Sequence, residues 1–168
     1  MLKLLALPVT LLIAALVAIG CTAATSADHL AVAGHGADGL RPTVRKLDPD
    51  LRAALESAMH DARHDGVTIH VTSGWRSRAH QERLFAEAVS RYGSEEEARR
   101  YVAPPDASAH VTGDAVDIGP RSADEWLSRH GADYGLCQVF ANEVWHYELA
   151  TTPGGECPPM YPDSSYRG

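Results

Sequence analysis

Two residues with metal-binding chemistry, His110 and Asp117, stand seven positions apart in this chain, with Gly113 between them. Asp117 is flanked by Val116 and Ile118 in a stretch, 115–118, that reads as a strand. This placement constrains any fold the chain adopts. A carboxylate in an apolar strand must turn outward or be buried with a partner that offsets its lost hydration. A metal is one such partner, and a turn or helix-cap aspartate at the surface is the other reading. Gly113 lets the chain turn tightly, so that both side chains can reach one point.

A second segment, Glu143-Val144-Trp145-His146, offers another nitrogen. A lone histidine among aromatic residues is more often a satisfied core residue than a ligand. Together with His110 and Asp117, however, His146 completes two nitrogens and one oxygen. Three protein ligands with a fourth position open is the pattern of a catalytic zinc site rather than a structural one. None of the cysteines has the C-x-x-C spacing of a zinc ligand. Glu143 then has a role as general base toward an attacking water. Residues three apart on a regular strand face opposite sides, so Glu143 is expected on a turn before the strand, which Asn142 favours, or else beside a bulge. A third segment, Ser73-Gly74-Trp75-Arg76-Ser77, with Gln81 beyond it, marks a strand-to-helix junction. Arg76 has a permanent, forked charge that suits a carboxylate or a developing oxyanion. It also sits where a helix N-terminus disfavours positive charge, which an anionic ligand would relieve.

The remaining periodicity predicts an α+β fold, a small antiparallel sheet with helices packed on it. One helix starts at Asp48-Pro49 and carries the apolar stripe Leu51, Leu55, Ala58, Met59 and Ala62. A second runs from a Ser77 cap to Tyr92, stopped by Gly93, with Leu84, Phe85, Ala88 and Val89 facing inward. Capping-box spacing at Ser94–Glu97 and again at Ser122–Glu125 predicts two more helix starts. Strands are expected at 67–72, 115–118, 136–140 and 144–149.

The 168 residues suit one domain. A formal net charge of -7 leaves no basic footprint for nucleic acid. Residues 1–20 read as a signal segment, with Lys3 ahead of an apolar run too short for a stable span. Residues 21–41 read as a flexible tether, and the folded domain as 42–168. Ala18-Ile19-Gly20-Cys21 is similar to a bacterial lipobox, which would make Cys21 the lipidated residue. A plain secretory signal and a retained anchor are the alternatives. With Cys21 lipidated, Cys137 and Cys157 are left as a disulfide pair, which would persist in an oxidising compartment. Two free buried thiols are the other outcome.

The three segments together resemble the VanY-like D-alanyl-D-alanine carboxypeptidases, LAS-type zinc peptidases whose fold the Hedgehog signalling domain shares. The family pattern S-x-H-x-x-G-x-A-x-D is met at every fixed position from Ser108 to Asp117. E-x-W-H is met from Glu143 to His146, and S-G-[YW]-R-S from Ser73 to Ser77. The resemblance implies one Zn2+ per chain held by His110, Asp117 and His146, with Glu143 as catalytic base. It implies Arg76 for charge on the scissile carbonyl, and Ser108 and Gln81 touching substrate or supporting the site. The implied substrate is the D-Ala-D-Ala end of a peptidoglycan stem peptide. A stem-peptide endopeptidase, a D,D-dipeptidase or a zinc-stabilised binding module would keep the same ligands. The expected form is an exported monomer that meets the membrane only through a lipidated Cys21.

Overall fold

A computed structural model describes residues 42–167. The signal segment, the tether and Cys21 therefore lie outside the described residues. Helix α1 (Pro49–His64) begins where the sequence asks it to: the Asp48 carboxylate accepts from the Asp50 and Leu51 N–H groups and Pro49 occupies the first position. Strand β1 (His70–Ser73) leads into α2 (Arg78–Tyr92), capped by the Ser77 hydroxyl and ended at Gly93 with φ 87°. A short α3 (Glu95–Ala98) follows, capped by Ser94. Then come α4 (Ala109–Thr112), β2 (Ala115–Gly119), α5 (Arg121–His130), β3 (Leu136–Gln138) and β4 (His146–Leu149). Among the described residues no helix is long and apolar enough to cross a membrane.

The four strands form one antiparallel sheet in the order β1-β2-β4-β3. Alternation divides its faces. Val71, Val116, Ile118 and Tyr147 point to one face and join Leu51, Leu55, Ala58 and Ala62 of α1 and Ala123, Trp126 and Leu127 of α5 in the core. Asp117, His146 and Glu148 occupy the opposite face. The register places Asp117 directly across from His146. The core thus fixes the pair that matters for chemistry: if β4 slipped by one residue, His146 would enter the apolar layer.

Four expectations need correction. The alternating stretch 67–72 is a strand only from His70, because the ladder with β2 ends at the His70–Gly119 pair and Pro120 leads into α5. Residues 67–69 find no strand partner, although Ile69 still enters the core. Helix α5 starts one residue before Ser122, with Pro120 as its cap, so Ser122 to Glu125 does not act as a capping box. On α2, Leu84, Phe85 and Val89 are only half-buried while Gln81 and Ala88 are the buried residues, because this helix walls the functional face and lies away from the main core. Strands β3 and β4 are shorter than expected, since Phe140 bridges to Tyr161 instead and 141–145 is given to turns.

Cys137 and Cys157 are joined in a disulfide across a sequence separation of 20. The bond ties the Gly- and Pro-rich segment after β4 to β3, where few apolar residues could hold it.

Candidate metal centre

Three elements deliver the predicted ligands to one point. Helix α4 supplies His110, β2 supplies Asp117, and β4 supplies His146. The tight turn between the first two depends on Gly113, whose φ of 91° is open to glycine and strained for other residues. A Cβ there would meet the Lys46 carbonyl oxygen at 2.6 Å. The Gly113 carbonyl in turn accepts from Asp48 N–H at 2.9 Å, which couples the start of α1 to the site.

The imidazoles are oriented from outside. His110 Nδ1 lies 2.9 Å from the Gly74 carbonyl oxygen, which can only accept. His146 Nε2 lies 2.9 Å from Glu148 Oε1, which as a carboxylate also only accepts. Each outward nitrogen therefore carries the N–H, and each inward nitrogen of a neutral ring presents a lone pair. Those inward atoms, His110 Nε2 and His146 Nδ1, face Asp117 Oδ1 at 3.2 and 3.3 Å. Acceptors converging so closely need a cation among them. The spacing fits zinc, because donors held tetrahedrally at about 2.0–2.1 Å are about 3.3 Å apart. All three donor atoms lie within 4.8 Å of one another and all three residues are buried.

The protonation preferences of the groups agree with this. Burial pushes the Asp117 carboxyl up, but hydrogen bonds from His110 and His146 outweigh it and hold the group well below the usual carboxylate range. Burial alone would lower His146; hydrogen bonds to Asp117 and Glu148 instead raise it from 6.5 to about 9. The point between these side chains therefore favours positive charge, from protons or from a metal ion.

Glu143 lies on the turn before β4 and not at a bulge: its N–H donates to Phe140 O and its carbonyl accepts from His146 N–H at 3.0 Å. Its side chain is half-buried on the wall of a cavity of about 260 Å³ that contains the three ligands, Arg76 and Ser108. Burial pushes its carboxyl from 4.5 up to about 7, opposed by His146 and assisted by Asp117. A carboxyl that changes state near neutral pH is matched to taking and returning a proton.

Arg76 answers its awkward position at a helix start with a protein carboxylate. Its Nη2 donates to Asp117 Oδ2 at 2.7 Å, Nε to Ser73 Oγ at 2.9 Å, and Nη1 to Gln81 Oε1 at 3.3 Å. It holds the outer oxygen of Asp117 and leaves Oδ1 to the centre. Three of the five N–H groups of a guanidinium are thereby engaged, and Arg76 also lines the cavity. Gln81 lines the same cavity and is 1% exposed, and its amide nitrogen donates to Ala103 O at 2.8 Å. Ser108 is buried on the cavity wall and makes no cap bond to α4, so its hydroxyl is available there.

Two partners escaped the sequence reading. Glu148 lies two residues beyond His146, and the period of a strand would have placed it on the same face. Arg167, which donates from Nη1 to both Glu148 oxygens at 2.5 Å, comes from a segment of turn residues with no periodic signal.

Two imidazoles and a carboxylate around one point, with a second carboxyl beside them that titrates near neutrality, make a centre suited to metal-assisted hydrolysis. The comparisons agree with that class. The model of the VanY family, D-alanyl-D-alanine carboxypeptidase, matches residues 44–152, and the chain belongs to this family. A D-alanyl-D-alanine carboxypeptidase of Enterococcus faecalis (strain ATCC 700802 / V583) is 28% identical over 127 residues, which cover 61% of this chain and 47% of that protein. The chain thus spans about half the length of this curated relative. The vancomycin-resistance D,D-pentapeptidase VanY of a VanB-type cassette, solved in complex with Zn(II), matches at 27% identity and a TM-score of 0.56, covering 61% of this chain and 71% of that one. VanYB in complex with D-alanine-D-alanine matches at 27% identity and a TM-score of 0.57, covering 61% and 70%.

Proposed function

We propose that this domain is a zinc-dependent D-alanyl-D-alanine carboxypeptidase that removes the terminal D-Ala from peptidoglycan stem peptides. The observation that carries the reading is the convergence of His110 Nε2, Asp117 Oδ1 and His146 Nδ1 in the cavity that Glu143 also lines. Zinc held there would supply Lewis-acid polarisation of the scissile carbonyl and of water. The protein's own groups do the rest. Glu143 accepts the proton of the attacking water and returns it to the departing amine, a shuttle that its place on the wall of the same cavity permits. Arg76 fixes Asp117 and offers its remaining N–H groups to negative charge that develops on the substrate. Ser108 offers a hydroxyl to the bound peptide, and Gln81 braces Arg76.

The relative solved with D-alanine-D-alanine supports the choice of substrate. Export, with Cys21 as a lipid anchor or after simple secretion, would put the site where such peptides occur, and the Cys137–Cys157 bridge is consistent with an oxidising compartment. Mass spectrometry of stem pentapeptides and crosslinked muropeptides incubated with the zinc-loaded protein tests the reading. Loss of one terminal D-Ala is expected. A severed crosslink with intact pentapeptide termini would replace the carboxypeptidase reading with an endopeptidase one.

A further inference from the structure

The segment 161–167 lies across the functional face and is pinned at several places. Tyr161 pairs with Phe140, its N–H donating to Val139 O and its carbonyl accepting from Ala141 N–H. Arg100 Nε donates to Asp163 Oδ2 at 3.2 Å, and Ser164 Oγ donates to Arg99 O at 2.6 Å. These bonds deliver Arg167 to Glu148, where one nitrogen, Nη1, serves both carboxylate oxygens. Glu148 in turn holds the outer nitrogen of His146.

From this chain of contacts we infer that Arg167 is a positioning residue for the metal ligand His146, acting through Glu148, so that metal retention depends on a segment remote in sequence from every ligand. The inference rests on the reading of His110, Asp117 and His146 as a zinc site. Its physical basis is the situation of Glu148. That carboxylate is 7% exposed, and a buried charge persists only with partners. His146 supplies one hydrogen bond and Arg167 the compensating charge. Without Arg167, Glu148 would turn toward water and release the imidazole N–H that it orients. The ring would then be free to rotate its Nδ1 away from Asp117 Oδ1. Partners of this kind behind a metal-binding histidine contribute about 10–100-fold to metal affinity. Because a single nitrogen bridges both oxygens, a lysine ammonium can take the same place.

Zinc affinity, measured by competition with a chromophoric chelator on the full chain, provides the test. Arg167→Ala should bind zinc about 10-fold or more weakly, and Arg167→Lys should recover most of the loss. In a Glu148→Gln background, which keeps an acceptor for His146 but no charge for Arg167, adding Arg167→Ala should change affinity little. The lysine rescue and the coupling separate positioning from general loosening of the fold. Unchanged affinity in Arg167→Ala, or an equal loss in the Glu148→Gln background, overturns the inference. So does a change confined to KM with zinc affinity intact, which would make Arg167 a substrate contact. If the unmodified protein binds no zinc, the metal-site reading itself fails, a result distinct from these.

Discussion

Glu143→Gln should do two opposite things, and both follow from the carboxyl's surroundings. The change is nearly isosteric, so the cavity keeps its shape and the ligands keep their positions. It removes the proton acceptor, and general-base catalysis of this type contributes about 10²–10⁴-fold to rate. Zinc-loaded Glu143→Gln should therefore lose at least about 100-fold in D-Ala release while binding the metal as before. The second effect concerns stability without metal. Burial raises the Glu143 carboxyl from 4.5 to about 7 in the fold. In the unfolded chain the group ionises above 4.5; in the folded chain it keeps its proton until about 7. The folded protein is thus progressively destabilised as pH rises through that window, and fully so above 7. The span corresponds to a ceiling of about 3 kcal/mol, which screening of a partly solvated group reduces to about 1–2 kcal/mol. Glutamine carries no charge at any pH. Metal-free Glu143→Gln should therefore be about 1–2 kcal/mol more stable than the parent at pH 8 and indistinguishable from it at pH 4. Urea denaturation at the two pH values in the presence of a chelator measures this, and a D-amino-acid-oxidase-coupled assay measures turnover. Turnover within a few-fold of the parent would refute the assignment of the base. A pH-independent stability difference would refute the account of why its carboxyl titrates near neutrality.

Other consequences can be checked more briefly. Gly113→Ala forces a Cβ against the Lys46 carbonyl oxygen in a left-handed backbone, which costs about 1–2 kcal/mol before the clash is relieved. Thermal denaturation should show a lower Tm, and zinc titration a weaker site, because His110 and Asp117 are joined through that turn; a parental Tm and affinity would contradict this. Reduction of the Cys137–Cys157 bond should destabilise the domain by roughly 3 kcal/mol from loop entropy, read as a drop in denaturation midpoint. Zinc should remain bound, since neither cysteine belongs to the ligand set that the geometry defines.

Much of the site was legible because its residues break local rules in ways that demand a partner. Asp117 in an apolar strand, Gly113 between two charged positions and Arg76 at a helix start each pointed to a charge arranged against ordinary preference. Strand geometry left Glu143 either a turn or a bulge, and Asn142 before it favoured the turn. The misreadings share a different cause. The Ser122 capping spacing was overruled because the chain leaves β2 through Pro120, which starts the helix one residue earlier. The alternating stretch at 67–69 lacks a neighbour because β2 ends at Gly119. Leu84 and Phe85 have helical periodicity, but that periodicity marks a covered face without saying what covers it: Leu84 lines the cavity, and the Arg99 guanidinium lies over the Phe85 ring. Arg167 could not be found at all: its partner Glu148 is 19 residues away, and only the fold brings the two together.

The central claim is that His110, Asp117 and His146 hold one zinc ion. Anomalous diffraction at the zinc edge from crystals of the zinc-loaded protein tests it most directly. One peak is predicted per chain, at about 2.0–2.2 Å from His110 Nε2, Asp117 Oδ1 and His146 Nδ1, with Glu148 and Gly74 still holding the outer nitrogens. The absence of a peak there at saturating zinc, or a peak on other residues, would contradict the account.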